Sequence, residues 1–97
     1  MAKLKIVYEE ENVTDIIKSA IDAEIKRLEL GLNKTNKEIR KFEDKYVISS
    51  EDFLKKITAD DLQGGDYDYV KWSGELKLRE RILEDLKKLK DIEYVAC

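Results

Sequence analysis

Apolar residues in the first half of the chain recur at alternating spacings of four and three: Ile21, Ile25, Leu28, Leu32, Thr35, Ile39, Phe42 and Tyr46. That period keeps one stripe on one side of an α-helix, and it predicts a single helix over 13–46 packed lengthwise on another helix. Asn12 stands where an N-cap would, and Asp15 adds negative charge at the positive end of the helix dipole. Two features argue for a break inside: Gly31 costs about 1 kcal/mol relative to alanine, and Thr35 with Glu38 has the spacing of a capping box. The stripe keeps its phase across both, so a continuous helix is expected.

After Tyr46 the period changes. Ser49-Ser50-Glu51-Asp52 offers a fresh N-cap before Phe53, Leu54 and Ile57 at helical spacing, which predicts a short helix over 50–58. Asp60-Asp61-Leu62-Gln63-Gly64-Gly65 reads as a loop whose paired glycines permit positive φ, with Asp66 as the next cap. A last long helix is expected over 67–91, with Tyr69, Trp72, Leu76, Leu83 and Leu86 in one stripe that Ile82 and Leu89 widen. Segments 3–8 and 92–96 are β-branched and aromatic enough for short strands. Two long helices joined by a helical corner run antiparallel, which brings both terminal strands to one end, where they can pair. The expected fold class is therefore mainly α: a single domain over 1–97, built as a long antiparallel, coiled-coil-like helical hairpin with a short connecting helix and short terminal β-strands.

Composition sharpens this picture. Among 97 residues, 42% are hydrophobic and 42% charged, and none is proline, which suits long helices with solvated outer faces. Lysine and arginine number 19 against 22 acidic residues, a net charge of -3, with the signs interleaved along the chain. Nucleic acid is not the expected partner. Even the basic run Lys34, Lys37, Arg40, Lys41 and Lys45 is interrupted by Glu38, Glu43 and Asp44, as on a solvated helix face. No segment approaches the roughly 20 apolar residues of a membrane span, and the start of the chain lacks the apolar core of a signal peptide. The only cysteine is Cys97, which excludes an internal disulfide framework and fits a reducing compartment, so a cytoplasmic location is expected.

Candidate chemistry is sparse. Histidine is absent, which removes the commonest general base and a major metal ligand. Asp60, Asp61, Asp66 and Asp68 form the one grouping that resembles a metal site, yet their spacing does not match an EF-hand loop, and helix capping explains Asp66 or Asp68 more simply. Gly64-Gly65 precedes a helix without the lysine of a phosphate loop. No residue is assigned a catalytic, cofactor-binding or metal-binding role, and no enzyme activity is expected. Tyr46, Phe53, Tyr67, Tyr69 and Trp72 flank the corner between the long helices; such a group serves either as partner-binding anchors or as a local core locking the corner.

The corner sequences Phe42-Glu43-Asp44-Lys45-Tyr46, Ser49-Ser50-Glu51-Asp52-Phe53 and Asp66-Tyr67-Asp68-Tyr69-Val70-Lys71-Trp72-Ser73-Gly74-Glu75-Leu76 carry a resemblance. The stretch 39–83 is similar to a group of small prokaryotic proteins, many archaeal, several of which are regarded as antitoxin-like components of toxin-antitoxin gene pairs. Those proteins usually carry glycine after the tyrosine, where Val47 stands here, so the first helix must end without an easy left-handed cap. The resemblance implies a protein that sequesters a toxin encoded beside it. Ribbon-helix-helix DNA binding would need two short helices after the strand, against the long helix expected here.

Taken by itself, the residue pattern asks for a partner, because one helix covers only one side of another and a two-stranded ribbon is marginal. The expected function is a non-enzymatic protein-binding module, antitoxin-like or regulatory, using the hairpin and the five corner aromatics. The alternative is a homo-oligomeric coiled-coil structural protein that packs Ile21, Ile25, Leu28, Leu32, Ile39 and Phe42 against a second copy.

Overall fold

A computed structural model describes residues 3–58 and 61–97. The chain order is β1 (Lys5–Tyr8), α1 (Glu11–Tyr46), α2 (Ser50–Lys56), α3 (Gly65–Lys90) and β2 (Glu93–Ala96). The expected architecture is observed: α1 and α3 pack side by side, α2 makes the corner, and the two strands pair at the other end. The molecule is a rod measuring 59 × 24 × 18 Å. Its length is that of α1, whose 36 residues span about 54 Å at 1.5 Å per residue.

The starts of the two long helices differ from the sequence expectation by two residues, for electrostatic and steric reasons. Glu10, in extended conformation, is the N-cap of α1, and Asn12 lies inside the first turn. The acidic run Glu9-Glu10-Glu11, which stops the strand, also favours the helix dipole and so moves the start forward. Gly64 likewise caps α3, leaving Asp66 in the first turn as a charge rather than a cap. At α2 the expected cap is present: the Ser49 side chain accepts the Asp52 N–H at 3.1 Å. This helix ends at Lys56 because Ile57 turns extended and packs into the corner.

α1 runs unbroken through Gly31. Its stripe meets α3 in antiparallel order, since Leu28 packs on Ile82 and Leu86 with Ile25, Leu32 and Leu89 around them. Further along, Asn36 accepts a hydrogen bond from Arg79 at 3.4 Å, and Phe42 stacks on Trp72. Without a Cβ at Gly31, Ile82 lies close; a methyl group there would sit 3.7 Å from its Cδ1, an ordinary contact. α1 terminates at Val47, a left-handed residue with φ 51 and ψ 48, and the N–H groups of Val47 and Ile48 both donate to the Glu43 carbonyl.

β1 and β2 pair in parallel, with Lys5 opposite Glu93, Ile6 opposite Tyr94, Val7 opposite Val95 and Tyr8 opposite Ala96. Parallel neighbours cannot be joined by a tight turn, and here the whole helical hairpin serves as the crossover. Lys18 of α1 sits 4.9 Å from the centre of the Tyr94 ring and ties the ribbon to the helix. Among the described residues, no helix is long and apolar enough to cross a membrane.

Candidate functional site

The corner is built around Trp72, which is 0% exposed, as is Phe53. Their rings stack at 3.9 Å between centroids, and Phe42 and Tyr46 of α1 stack on the indole at 5.6 and 5.9 Å. Leu62, Ile48, Ile57, Tyr69 and Leu76 close the cluster. A buried indole N–H needs an acceptor. Trp72 Nε1 donates to Ser50 Oγ at 3.0 Å, Ser50 Oγ donates to the Glu43 carboxylate at 2.8 Å, and the Ser50 backbone N–H donates to the same oxygen at 3.0 Å. Glu43 of α1 therefore satisfies the first turn of α2 while Ser50 anchors α3, so three helices share one polar chain.

A second network lies beside it. Asp68, buried on the first turns of α3, accepts hydrogen bonds from Tyr46 Oη and, at 2.7 Å, from Lys45 Nζ. Tyr46 Oη in turn accepts the Gly64 N–H at 3.1 Å. Hydrogen bonding to Lys45 and then Tyr46 holds the Asp68 carboxyl below its usual range despite burial, and the same carboxylate raises the Lys45 ammonium. Gly64 does not use its glycine for positive φ; its φ is -81, and only Gly65, at φ 55, does so. The need at Gly64 is space, because a Cβ there would run into the Asp68 carboxylate.

The five aromatics singled out from the sequence thus divide by exposure. Phe53 and Trp72 lie wholly inside the corner, Tyr46 and Tyr69 are half-buried on its surface, and Tyr67 is exposed. Of the seam residues, Leu28 and Ile39 are buried and Ile21, Ile25, Leu32 and Phe42 half-buried; Ile25, Leu28 and Leu32 pack against α3 of the same chain, and Phe42 against its Trp72. The acidic grouping does not converge. Asp68 is engaged as described, Asp61 accepts from the N–H and hydroxyl of Thr58, Asp66 is exposed, and Asp60 lies outside the described residues. Among the described residues no three His, Cys, Asp or Glu side chains come together as metal ligands.

Two exposed apolar surfaces were not singled out by the periodicity. Leu83, expected on the buried stripe of α3, is half exposed; with Leu54 of α2 and the half-buried Leu76 it lines a furrow on the flank that α1 does not cover. The apolar arc of α3 is wider than one helix can bury. At the ribbon end, Val7 of β1 and Val13 and Ile17 of α1 line a second groove, with exposed Ile16 one turn along. A signal was present there: Val13, Ile16, Ile17 and Ala20 follow i, i+3, i+4, i+7 spacing beside the main seam.

The geometry defines a class, a helical hairpin closed by a parallel ribbon and a locked aromatic corner. No protein family model, curated protein or solved structure matches the chain.

Proposed function

We propose that this chain is a non-enzymatic protein-binding module, antitoxin-like in that its helical hairpin occupies and sequesters a partner protein. The observation that carries this reading is the furrow of Leu54, Leu76 and Leu83 between α2 and α3. Leaving a leucine in water rather than buried costs about 1.5–3 kcal/mol, and here two exposed leucines, Leu54 and Leu83, line one concavity with the half-buried Leu76, rimmed by Lys77, Arg79 and Glu80. An apolar centre inside a polar rim is the anatomy of an interface, and a furrow between helices accepts the apolar side of a third helix. Tyr67, with the half-buried Tyr46 and Tyr69, extends the surface around the corner. Phe53 and Trp72 act from beneath by fixing the angle of α2. The net charge of -3 favours a basic partner, the absence of histidine supports a binding role, and the resemblance of the corner sequence to antitoxin-like proteins points the same way.

The test is co-expression with the products of the adjacent genes. A stable complex with a small basic neighbour is expected, lost in the Leu54→Asp/Leu83→Asp double variant while circular dichroism and Trp72 fluorescence stay as in the parent. Undiminished binding by the double variant refutes the furrow as the docking surface. Absence of a complex with either neighbour refutes the antitoxin-like reading.

A further inference from the structure

The free edge of β1 matches itself. The carbonyls of Leu4 and Tyr8 accept from Glu93 of β2 and from Cys97 just after it, so alternation along the strand turns the N–H and C=O groups of Lys5 and Val7 to the opposite edge, where no strand lies among the described residues. Val7 is 64% exposed, and the residues around it read Lys3-Leu4-Lys5-Ile6-Val7-Tyr8-Glu9-Glu10-Glu11: basic before the apolar centre and acidic after it. Laid antiparallel on a second copy with Val7 on the two-fold axis, this segment places Lys5 opposite Glu9, the residue that follows the strand, twice over, while Glu11 already belongs to α1. Only registers that pair odd-numbered residues use the outward backbone groups. Of the two centred on Ile6 or Val7, centring on Ile6 puts Lys5 opposite the uncharged Val7 and leaves Lys3, outside β1, to face Glu9, whereas centring on Val7 pairs Glu9 with Lys5 of the strand itself.

We infer that β1 is a homodimerisation edge, pairing antiparallel with β1 of a second copy about Val7 to give a four-stranded sheet in the order β2-β1-β1-β2. The contact lies on a different surface from the furrow and does not depend on it. It turns a marginal two-stranded ribbon into a sheet of stable size and removes the exposed inner edges. Val7 and Val95, in register and both exposed, become a row of four valines across one face. The second copy also overlies the groove of Val7, Val13 and Ile17, covering the first turns of α1 where Ile16 is 69% exposed.

The experiment is a charge swap read by light scattering across a concentration series. The parent chain should have twice the chain mass. Lys5→Glu alone and Glu9→Lys alone should each weaken the dimer about thirtyfold, because each substitution creates two like-charge pairs. Mixing the two variants should restore a dimer containing one of each, since both pairs are again complementary; any loss of ribbon stability from placing the Lys5→Glu carboxylate beside Glu93 is present before and after mixing. Register is read separately in a Cys97→Ser background. Val7→Cys should form a disulfide-linked dimer under mild oxidation, because directly opposed hydrogen-bonded residues have Cα atoms about 5.5 Å apart, inside the disulfide range. Lys5→Cys should not, its two copies being about 13 Å apart. A parent chain that is monomeric at every concentration overturns the inference. So does a dimer that neither single variant weakens, one that mixing does not restore, or one that Val7→Cys fails to cross-link.

Discussion

Val47 is a β-branched residue in the left-handed region, at φ 51, and its side chain is 89% exposed. The conformation puts Cβ against the following carbonyl oxygen and costs about 1–2 kcal/mol for an L-residue, while so exposed a side chain gains little in return. Val47→Gly removes that strain. Against it stands the greater freedom of glycine in the unfolded chain, about 0.5–1 kcal/mol. The expected net gain is about 0.5–1 kcal/mol, which for a domain of this size raises Tm by roughly 2–8 °C. Urea denaturation followed by Trp72 fluorescence should show the midpoint rising with unchanged slope, the sign of a stability change rather than of a different unfolded state. Val47→Ala tests the cause: alanine keeps a Cβ and should recover only part of the gain. If Val47→Gly is no more stable than the parent, or Val47→Ala equals it, strain at this position is not what limits the end of α1.

Gly31→Ala and Gly74→Ala should each stabilise by about 1 kcal/mol in thermal melts, since both lie inside helices and a methyl group meets only an ordinary contact at Gly31 and nothing within 4 Å at Gly74. Gly64→Ala should do the opposite, displacing Asp68 from Tyr46 and Lys45, with a lowered Tm as the readout. Trp72→Ala should cost about 3–5 kcal/mol and leave the corner open to proteolysis between α1 and α3; an unchanged melting curve would mean that the cluster does not hold the hairpin. Because the Asp68 pKa is lowered by folding, the stability it contributes is fully present above the ordinary carboxylate range and is lost as pH falls below it. Asp68→Asn should therefore be less stable than the parent near neutrality, and the difference should shrink on acidification. The raised Lys45 works at the other extreme, its contribution lost only as pH climbs past the ordinary lysine range.

The hairpin was legible because the Ile21 to Tyr46 stripe holds one phase for the length of α1 and the Ser49 cap restarts the pattern at α2. Periodicity reports one helix face averaged over many residues, so it survives Gly31. The caps at Asn12 and Asp66 were misplaced because side-chain capping preference competes with the dipole at Glu9-Glu10-Glu11 and with the room that Asp68 takes above Gly64. Strand direction was not legible at all: it depends on how both chain ends leave a rod of helices. At the corner, composition marked the aromatic group, but only the folding of α2 back over α3 decides that Phe53 and Trp72 are sealed while Tyr67 stays open. Leu83 was assigned to the core because its spacing fits; its exposure follows from α3 having a wider apolar arc than its single long neighbour covers.

The parallel ribbon joins the first and last elements of the chain, so its closure encloses nearly every residue between them. Closing a loop that runs from Tyr8 to Glu93 carries a large entropic cost, and the pairing becomes favourable only once the helices have already drawn its two strands together. Folding is accordingly expected to run from the corner outward, with the clasp shutting last. During synthesis β1 emerges before β2 and waits for residues 93–96, an apolar edge without its native neighbour until they appear. The ribbon should likewise be the first part to open under native conditions, its amides exchanging while those around Trp72 remain protected.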